Sequence, residues 1–394
     1  MKILMISRTY THPQDAGNRQ RIYRECCKMK ELGWDIDFLY YGSIESVDLD
    51  AMTAFFGIDH FWVCENLQYS VKSQMRAEIR KKLDQKGITR YVSIKYEKDD
   101  WFSTDVDEMI QYLLERKQYD AVWMQYFFQS KTFEKIDSKI IKIIDTHDKF
   151  GNRDRIFRKK GAVPEFFYTS KSGERKALAR ADIIVAIQNR EKEFFAGLLS
   201  KYNTEVFTIG DVIAFHHFED TDEKCYGFIG GINKPNILSI KWFIDKILPI
   251  VKDMNQESKF YIAGNICNEL EDSDSYIKLG KVEHVDEFYK RVNFVVCPII
   301  SGTGLNIKSI EALSYGKPII ATTTGAKGLE DANRAMVVTD NEEEFALSII
   351  ELLNDTKRLQ DMKQETVAFV ERYNLLNQNA LHEIERMIME RERR

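Results

Sequence analysis

No apolar run in this chain approaches the ~18 residues needed to span a bilayer, so no transmembrane helix is expected. The opening KILMIS is too short for a secretory core and ends in no cleavage pattern, so it reads as a first strand. The six cysteines are scattered, with only Cys26 and Cys27 adjacent. They form no CxxC pair and no zinc spacing, which points to reduced thiols and a cytoplasmic protein. The seven histidines form no HExxH. A formal net charge of -5 gives no global attraction to nucleic acid, and no nucleic-acid partner is expected. There is no internal repeat and no low-complexity segment. What is present is an ordinary globular composition, 44% apolar and 30% charged, over 394 residues. That length favours two domains.

Strand-like runs recur at residues 2–7, 34–41, 120–126, 139–145, 182–187, 206–209, 226–230, 259–263, 294–298, 318–322 and 336–339. Many are continuously apolar, as in strands buried on both faces. Helical patterns lie between them, at 19–32, 106–117, 237–254, 285–292 and 342–354. Such alternation predicts parallel, doubly wound α/β sheets, and there are too many strands for one of them. The break between two Rossmann-like domains is expected near 210–225, where no period is clear. The chain's end, 365–394, reads as two helical pieces divided near Tyr373 and Asn374.

Residues 43–102 stand apart, rich in aromatics such as Phe55, Phe61, Trp62, Tyr96 and Trp101. Within them, residues 71–86 carry Val71, Met75, Ile79 and Leu83 on one i+4 stripe, with Lys72, Arg76, Arg80, Lys81, Lys82 and Lys86 on other faces. A basic amphipathic helix can lie on an anionic membrane; it is equally the pattern of a surface helix packed on its own domain.

The string richest in chemical signal is PIISGTGLNIKSIEALSYGKPIIATTTGAKGLE, residues 298–330. It reads as strand end, glycine loop, helix, turn, strand and glycine turn. Gly302 and Gly304 permit close backbone approach, and the helix that follows offers unpaired N–H groups and a positive dipole end. Lys308 adds a full charge, and Glu311, three residues on, shares its face and suits ribose hydroxyls. Such a loop fits a nucleotide diphosphate. Asp-x-Asp pairs such as Asp35/Asp37 and Asp272/Asp274 are the kind that hold a divalent ion on a diphosphate. Asp35 and Asp37 read as outward positions of a strand, the others as loop or helix-start residues, and no metal site is expected.

This string resembles the donor-site motif of family 4 retaining glycosyltransferases of the GT-B fold. The matching pieces are Gly302-Thr303-Gly304-Leu305 with Asn306, then Lys308, Glu311-Ala312-Leu313, Gly316-Lys317-Pro318 and Gly325-Ala326. The segment from Phe228 through Gly230, Gly231 and Lys234 to Asn236 resembles the family's strand end near the donor diphosphate. Gly264-Asn265 matches its next glycine turn, and Gly280-Lys281-Val282 the segment that contacts the base. The loop after the first strand, with Gly17, resembles the one that approaches phosphate and acceptor. His147 stands where family members carry a histidine close to the transferred sugar. Asp148, Asn152 and Arg153 follow it as candidate acceptor residues. Departures are evident too: the loop with Gly17 has one glycine where a pair is frequent, and the loop around Gly302 is about two residues longer than the commonest form. Gly231 replaces a frequent arginine, and Thr303 stands where the family's E-x7-E pair would have its first glutamate.

The resemblance implies two Rossmann-like domains facing a cleft: an acceptor domain over 1–210, with 43–102 its variable acceptor- or membrane-facing region, a donor domain over 211–370, and a terminal helix, 371–394, crossing back. It implies retaining, metal-independent transfer from a UDP- or GDP-linked sugar to a glycan, glycolipid or lipid-linked acceptor, with no cofactor beyond the donor substrate. The 43–102 region and its basic helix suggest a place in bacterial surface polysaccharide or glycoconjugate synthesis, at the inner face of the membrane if that helix touches it. A non-catalytic sugar-nucleotide-binding or scaffold protein is the alternative from another class.

Overall fold

The computed structural model describes residues 1–88, 94–159, 166–211, 213–216, 221, 223–301 and 306–392. It divides into two units, residues 1–212 with 377–394, and residues 213–376.

The first unit is built on seven parallel strands: β1 (Lys2–Ser7), β2 (Asp35–Tyr41), β3 (Phe61–Cys64), β4 (Ala121–Gln125), β5 (Ile141–Asp145), β6 (Ile183–Ala186) and β7 (Glu205–Thr208). Their order is β3-β2-β1-β4-β5-β6-β7. The strands read as unbroken apolar runs because each feeds two cores. On β1, Leu4 and Ile6 join the core on one face while Ile3 and Met5 join the core on the other. Val122 and Met124 of β4 are likewise set against Ala121 and Trp123. Full burial of such a side chain is worth about 1.5–3 kcal/mol, and the alternation earns it on both faces.

The second unit has six parallel strands: β8 (Cys225–Ile229), β9 (Lys259–Ala263), β10 (Ile277–Gly280), β11 (Phe294–Cys297), β12 (Ile319–Ala321) and β13 (Met336–Val338), ordered β10-β9-β8-β11-β12-β13. In each sheet the strand order reverses once, between β1 and β4 and between β8 and β11. Open α/β sheets bind ligands beyond the carboxyl ends of strands at such a switch point.

The helices of the first unit are α1 (Gly17–Glu31), α2 (Leu49–Phe56), α3 (Val71–Gln85), α4 (Thr104–Arg116), α5 (Arg153–Lys159), α6 (Lys171–Leu178) and α7 (Asn189–Leu199). Those that follow are α8 (Lys234–Trp242), α9 (Leu248–Met254), α10 (Asp286–Tyr289), α11 (Ile307–Ser314), α12 (Glu342–Asn354) and α13 (Thr356–Glu392). No helix among the described residues is long and apolar enough to cross a membrane.

Four local expectations are corrected. The chain's end is one helix, α13, with no break at Tyr373 and Asn374. Asn374 keeps its helical backbone and uses its side chain elsewhere, donating through Nδ2 to the Ile213 carbonyl at 2.6 Å. Strands β3 and β10 were not expected, since both are edge strands with only partly buried side chains and a weak apolar signal. Asp37 does not point outward. It is fully buried, accepting from Lys117 Nζ at 3.0 Å and bonded to His60 Nδ1 at 2.6 Å, so β2 carries its second aspartate into an ion-pair network. The reading of α3 as packed on its domain by the apolar stripe is corrected: Val71, Met75 and Ile79 are 71%, 58% and 46% exposed and Leu83 is half-buried, while Arg80 is buried.

Candidate functional site

In the second unit the switch point gathers the ends of β8, β9 and β11. After β8 the chain turns at Gly230-Gly231 and enters α8, whose cap Asn233 accepts the Asn236 N–H at 2.8 Å. Asn236 is buried, and its Nδ2 donates to the Gly231 carbonyl at 2.8 Å, holding the turn against the helix start. Lys308 Nζ donates to Asn236 Oδ1 at 3.1 Å, so the first turn of α11 meets the first turn of α8. Among the described residues this ammonium has a neutral amide and no carboxylate at ion-pair distance. Burial pulls its pKa below the ordinary lysine value, against upward pushes from Cys297 and Glu311. A bound anion is the partner that would offset that desolvation. Glu311 accepts from the buried Tyr289 hydroxyl at 3.2 Å, and Tyr289 stacks on Tyr315 at 4.2 Å.

The remaining donor-site candidates fall around this point. Lys234 is exposed as the first residue of α8, and Asn265 is exposed after β9. Asn306 turns its Nδ2 toward the buried Cys297 sulfur at 3.1 Å instead of capping α11. Gly302, Thr303, Gly304 and Leu305 lie outside the described residues.

Gly264 is held by geometry. It has φ 90° and ψ 177°, and a Cβ there would sit 2.3 Å from the Gly230 carbonyl oxygen. At Gly231 an added Cβ meets nothing within 4 Å. Gly264→Ala is expected to lose about 2–5 kcal/mol in chemical unfolding, combining backbone strain and a clash. Gly231→Ala is expected to unfold like the parent protein.

In the first unit the polar cluster lies beyond β4 and β5. Arg21 and Glu25 are one turn apart on α1, on the same buried side as Ile22, Cys26 and Met29. Arg21 Nη2 donates to Asp145 Oδ2 at 2.8 Å and to the Ile209 carbonyl at 3.0 Å. Gln125 Nε2 donates to Glu25 Oε2 at 2.8 Å. Gln125 Oε1 is therefore the acceptor toward His147 Nε2, 2.5 Å away. This orientation makes His147 the Nε2–H tautomer and leaves Nδ1 with a lone pair. The Nε2–H is thereby occupied by Gln125, and Nδ1 is the nitrogen left to accept from a ligand. Burial lowers its pKa to about 4, with Asp145 pushing it up and Arg21 down.

Tyr126 directly follows β4 and His147 lies two residues beyond β5, with φ of 63° and 57°, a left-handed conformation that costs a non-glycine residue about 1–2 kcal/mol. Their rings stack at 4.3 Å, and the Tyr126 hydroxyl accepts from Asn18 Nδ2 at 3.4 Å. Gly17, the first residue of α1, is thereby placed beside this pair. Strained residues concentrated at strand ends are characteristic of ligand sites.

Asp148 and Arg153 are paired with each other at 2.9 Å, and Asn152 accepts from Lys95 Nζ at 2.5 Å. These three acceptor candidates are brought together, and the Arg153 Nε is buried without a hydrogen-bond partner among the described residues. Arg158, part of the same basic segment, lies 4.0 Å from Asp154.

Glu25 yields a pH prediction. Burial, then the neighbouring Asp145, raises its pKa from 4.5 to about 8. Between those values the folded state holds a proton that the unfolded state has lost, so stability falls as pH rises and the loss is complete above the folded pKa. His147 has the opposite slope, gaining stability as pH rises from about 4 to its ordinary 6.5. Above that, only the Glu25 slope remains of the two. Glu25→Gln is expected to gain about 2 kcal/mol on the parent between about pH 6.5 and pH 8, read by urea unfolding.

Sequence reading did not single out Arg21, Glu25, Gln125 or Tyr126. The available signal was two charges at i and i+4 on the apolar stripe of α1, where a solvated face would have neither.

Residues 223–355, about a third of the chain, match the family model described as Glycosyl transferases group 1. A curated relative from Klebsiella pneumoniae, described as an uncharacterized 44.6 kDa protein in cps region, is 26% identical over 151 residues. That match spans 35% of this chain and only 38% of the relative. Among solved structures, TarM (from S. aureus) has a TM-score of 0.67 at 12% identity, over 98% of both chains. The pneumococcal O-GlcNAc transferase GtfA, solved with UDP and GlcNAc, has 0.64 at 12% identity over 99% of both. Sucrose-phosphate synthase from Thermosynechococcus elongatus has 0.64 at 13% identity, over 98% of this chain and 99% of that one. At these identities the likeness shows the fold: this chain has two parallel-sheet Rossmann-like domains and shares the GT-B architecture with sugar-transferring enzymes.

Proposed function

We propose that this protein transfers a sugar from a nucleotide diphosphate sugar, UDP- or GDP-linked, to a hydroxyl of a glycan, glycolipid or lipid-linked saccharide, with retention of configuration and without a metal. The observation that carries the reading is Lys308, a half-buried cation without a described counter-charge, set where two helix N-termini meet at the switch point of the second sheet. Helix N-termini and a lysine suit a pyrophosphate. The family-model match over the same unit and the UDP bound by GtfA support this assignment.

Chemically, the leaving diphosphate gains negative charge as the glycosidic bond breaks. Lys308 and the N–H groups at the starts of α8 and α11 oppose that charge. Glu311 accepts from the ribose. His147 accepts through Nδ1 from a sugar hydroxyl. The acceptor hydroxyl attacks on the face the diphosphate leaves, which preserves the anomeric configuration. The cps-region relative supports a role in surface polysaccharide synthesis.

The test is calorimetric titration with UDP, GDP and their sugars, followed by donor turnover with extracted lipids and glycans as acceptors, with and without a chelator. NMR of the product's anomeric proton reports the configuration. Binding without turnover across that panel would favour a sugar-nucleotide-binding scaffold, and no nucleotide binding would end the proposal.

A further inference from the structure

Helix α3 is attached to its domain by its polar side. Asp100, 3% exposed, receives Arg76 Nε at 2.9 and 3.1 Å, Arg80 Nη1 and Nη2 at 3.4 Å, and Ser73 Oγ at 3.2 Å. It also accepts the backbone N–H of Glu97 at 3.1 Å, and the Arg80 guanidinium lies 3.7 Å over the Tyr96 ring. The buried side of the helix thus spends its arginines on one carboxylate and one aromatic face. The apolar residues are turned the other way, with Val71 71%, Met75 58% and Ile79 46% exposed.

The charges on that outer side are ordered. At about 100° per residue, Val71, Lys82, Met75, Lys86, Ile79 and Lys72 follow one another across an arc of about 100°. All three lysines are exposed, and none of them has a carboxylate at ion-pair distance among the described residues. No acidic residue falls within the arc: Glu78 borders it and Asp84 lies beyond. An apolar ridge interleaved with lysines matches the boundary of an anionic bilayer, where the apolar tips enter the acyl edge and the ammonium groups reach the headgroups.

We propose that the α3 ridge docks this protein on an anionic lipid surface, with Val71, Met75 and Ile79 immersed and Lys72, Lys82 and Lys86 on lipid phosphates. An acidic protein face would meet the lysines, yet it would leave three large apolar side chains without a matching solvent. A bilayer accommodates both.

The experiment is co-sedimentation of the full chain with phosphatidylcholine vesicles and with vesicles containing phosphatidylglycerol, at low and near-physiological salt. Binding is expected to the anionic vesicles alone and to weaken as salt screens the lysines. Each lysine replaced by glutamine is expected to lower partitioning about fivefold. The triple change Val71→Ser, Met75→Ser, Ile79→Ser is expected to lower it at least about tenfold. Circular dichroism and the melting temperature should be unchanged, because the anchoring Arg76, Arg80 and Asp100 are untouched. Equal binding of parent and triple variant would overturn the proposal. So would no binding to anionic vesicles, or a concentration-dependent dimer that the same substitutions abolish.

Discussion

Lys308→Ala is expected to lower sugar transfer by about 10²–10³-fold without unfolding the protein. The side chain's one described hydrogen bond is to the neutral amide of Asn236, so its removal strands no buried charge and the fold loses little. On the proposed function, what disappears is the cation that opposes the negative charge growing on the leaving phosphate. Donor affinity should fall less than turnover, because the charge on the diphosphate grows toward the transition state. Lys308→Arg supplies the control: it restores charge while changing reach and geometry, and is expected to recover part of the activity. Steady-state turnover and calorimetric donor affinity for the three proteins check this. Parent-like kcat/KM in the alanine variant would remove Lys308 from the site.

Arg21→Met is expected to destabilise the first unit by about 3–5 kcal/mol, the usual cost of stripping one partner from a buried ion pair. Arg21 and Asp145 have side-chain exposures of 2% and 0%, so water cannot replace the lost guanidinium. Asp145 would be left beside Glu25 with nothing to balance it. For a unit of this size the melting temperature should drop by about 10 °C. Adding Asp145→Asn removes the stranded charge and should recover part of the loss, a recovery that a simple packing defect would not show. Unfolding within about 0.5 kcal/mol of the parent would sink the argument.

Legibility in the sequence followed burial. Central strands such as β1 and β4 announced themselves because both faces are apolar. Edge strands β3 and β10 did not, since none of their side chains is fully buried. Lys308, Glu311 and His147 could be nominated from the sequence because motif residues sit at fixed offsets from glycines and strand ends. The network beneath His147 was not, because Gln125, Glu25 and Arg21 come from two separated elements and only the fold unites them. The α3 stripe was legible as periodicity, but its direction was not. Asp100, fifteen residues beyond the helix, decided which face turned inward.

The glycine turn after β8 separates what can vary from what cannot. Gly264 and Gly230 are locked main chain to main chain, so their neighbourhood tolerates no diversification. Gly231 opens onto free space at the mouth of α8. A long cationic residue grafted there would be accommodated without repacking, and under the proposed function that open space gives protein engineers a handle for retuning donor preference.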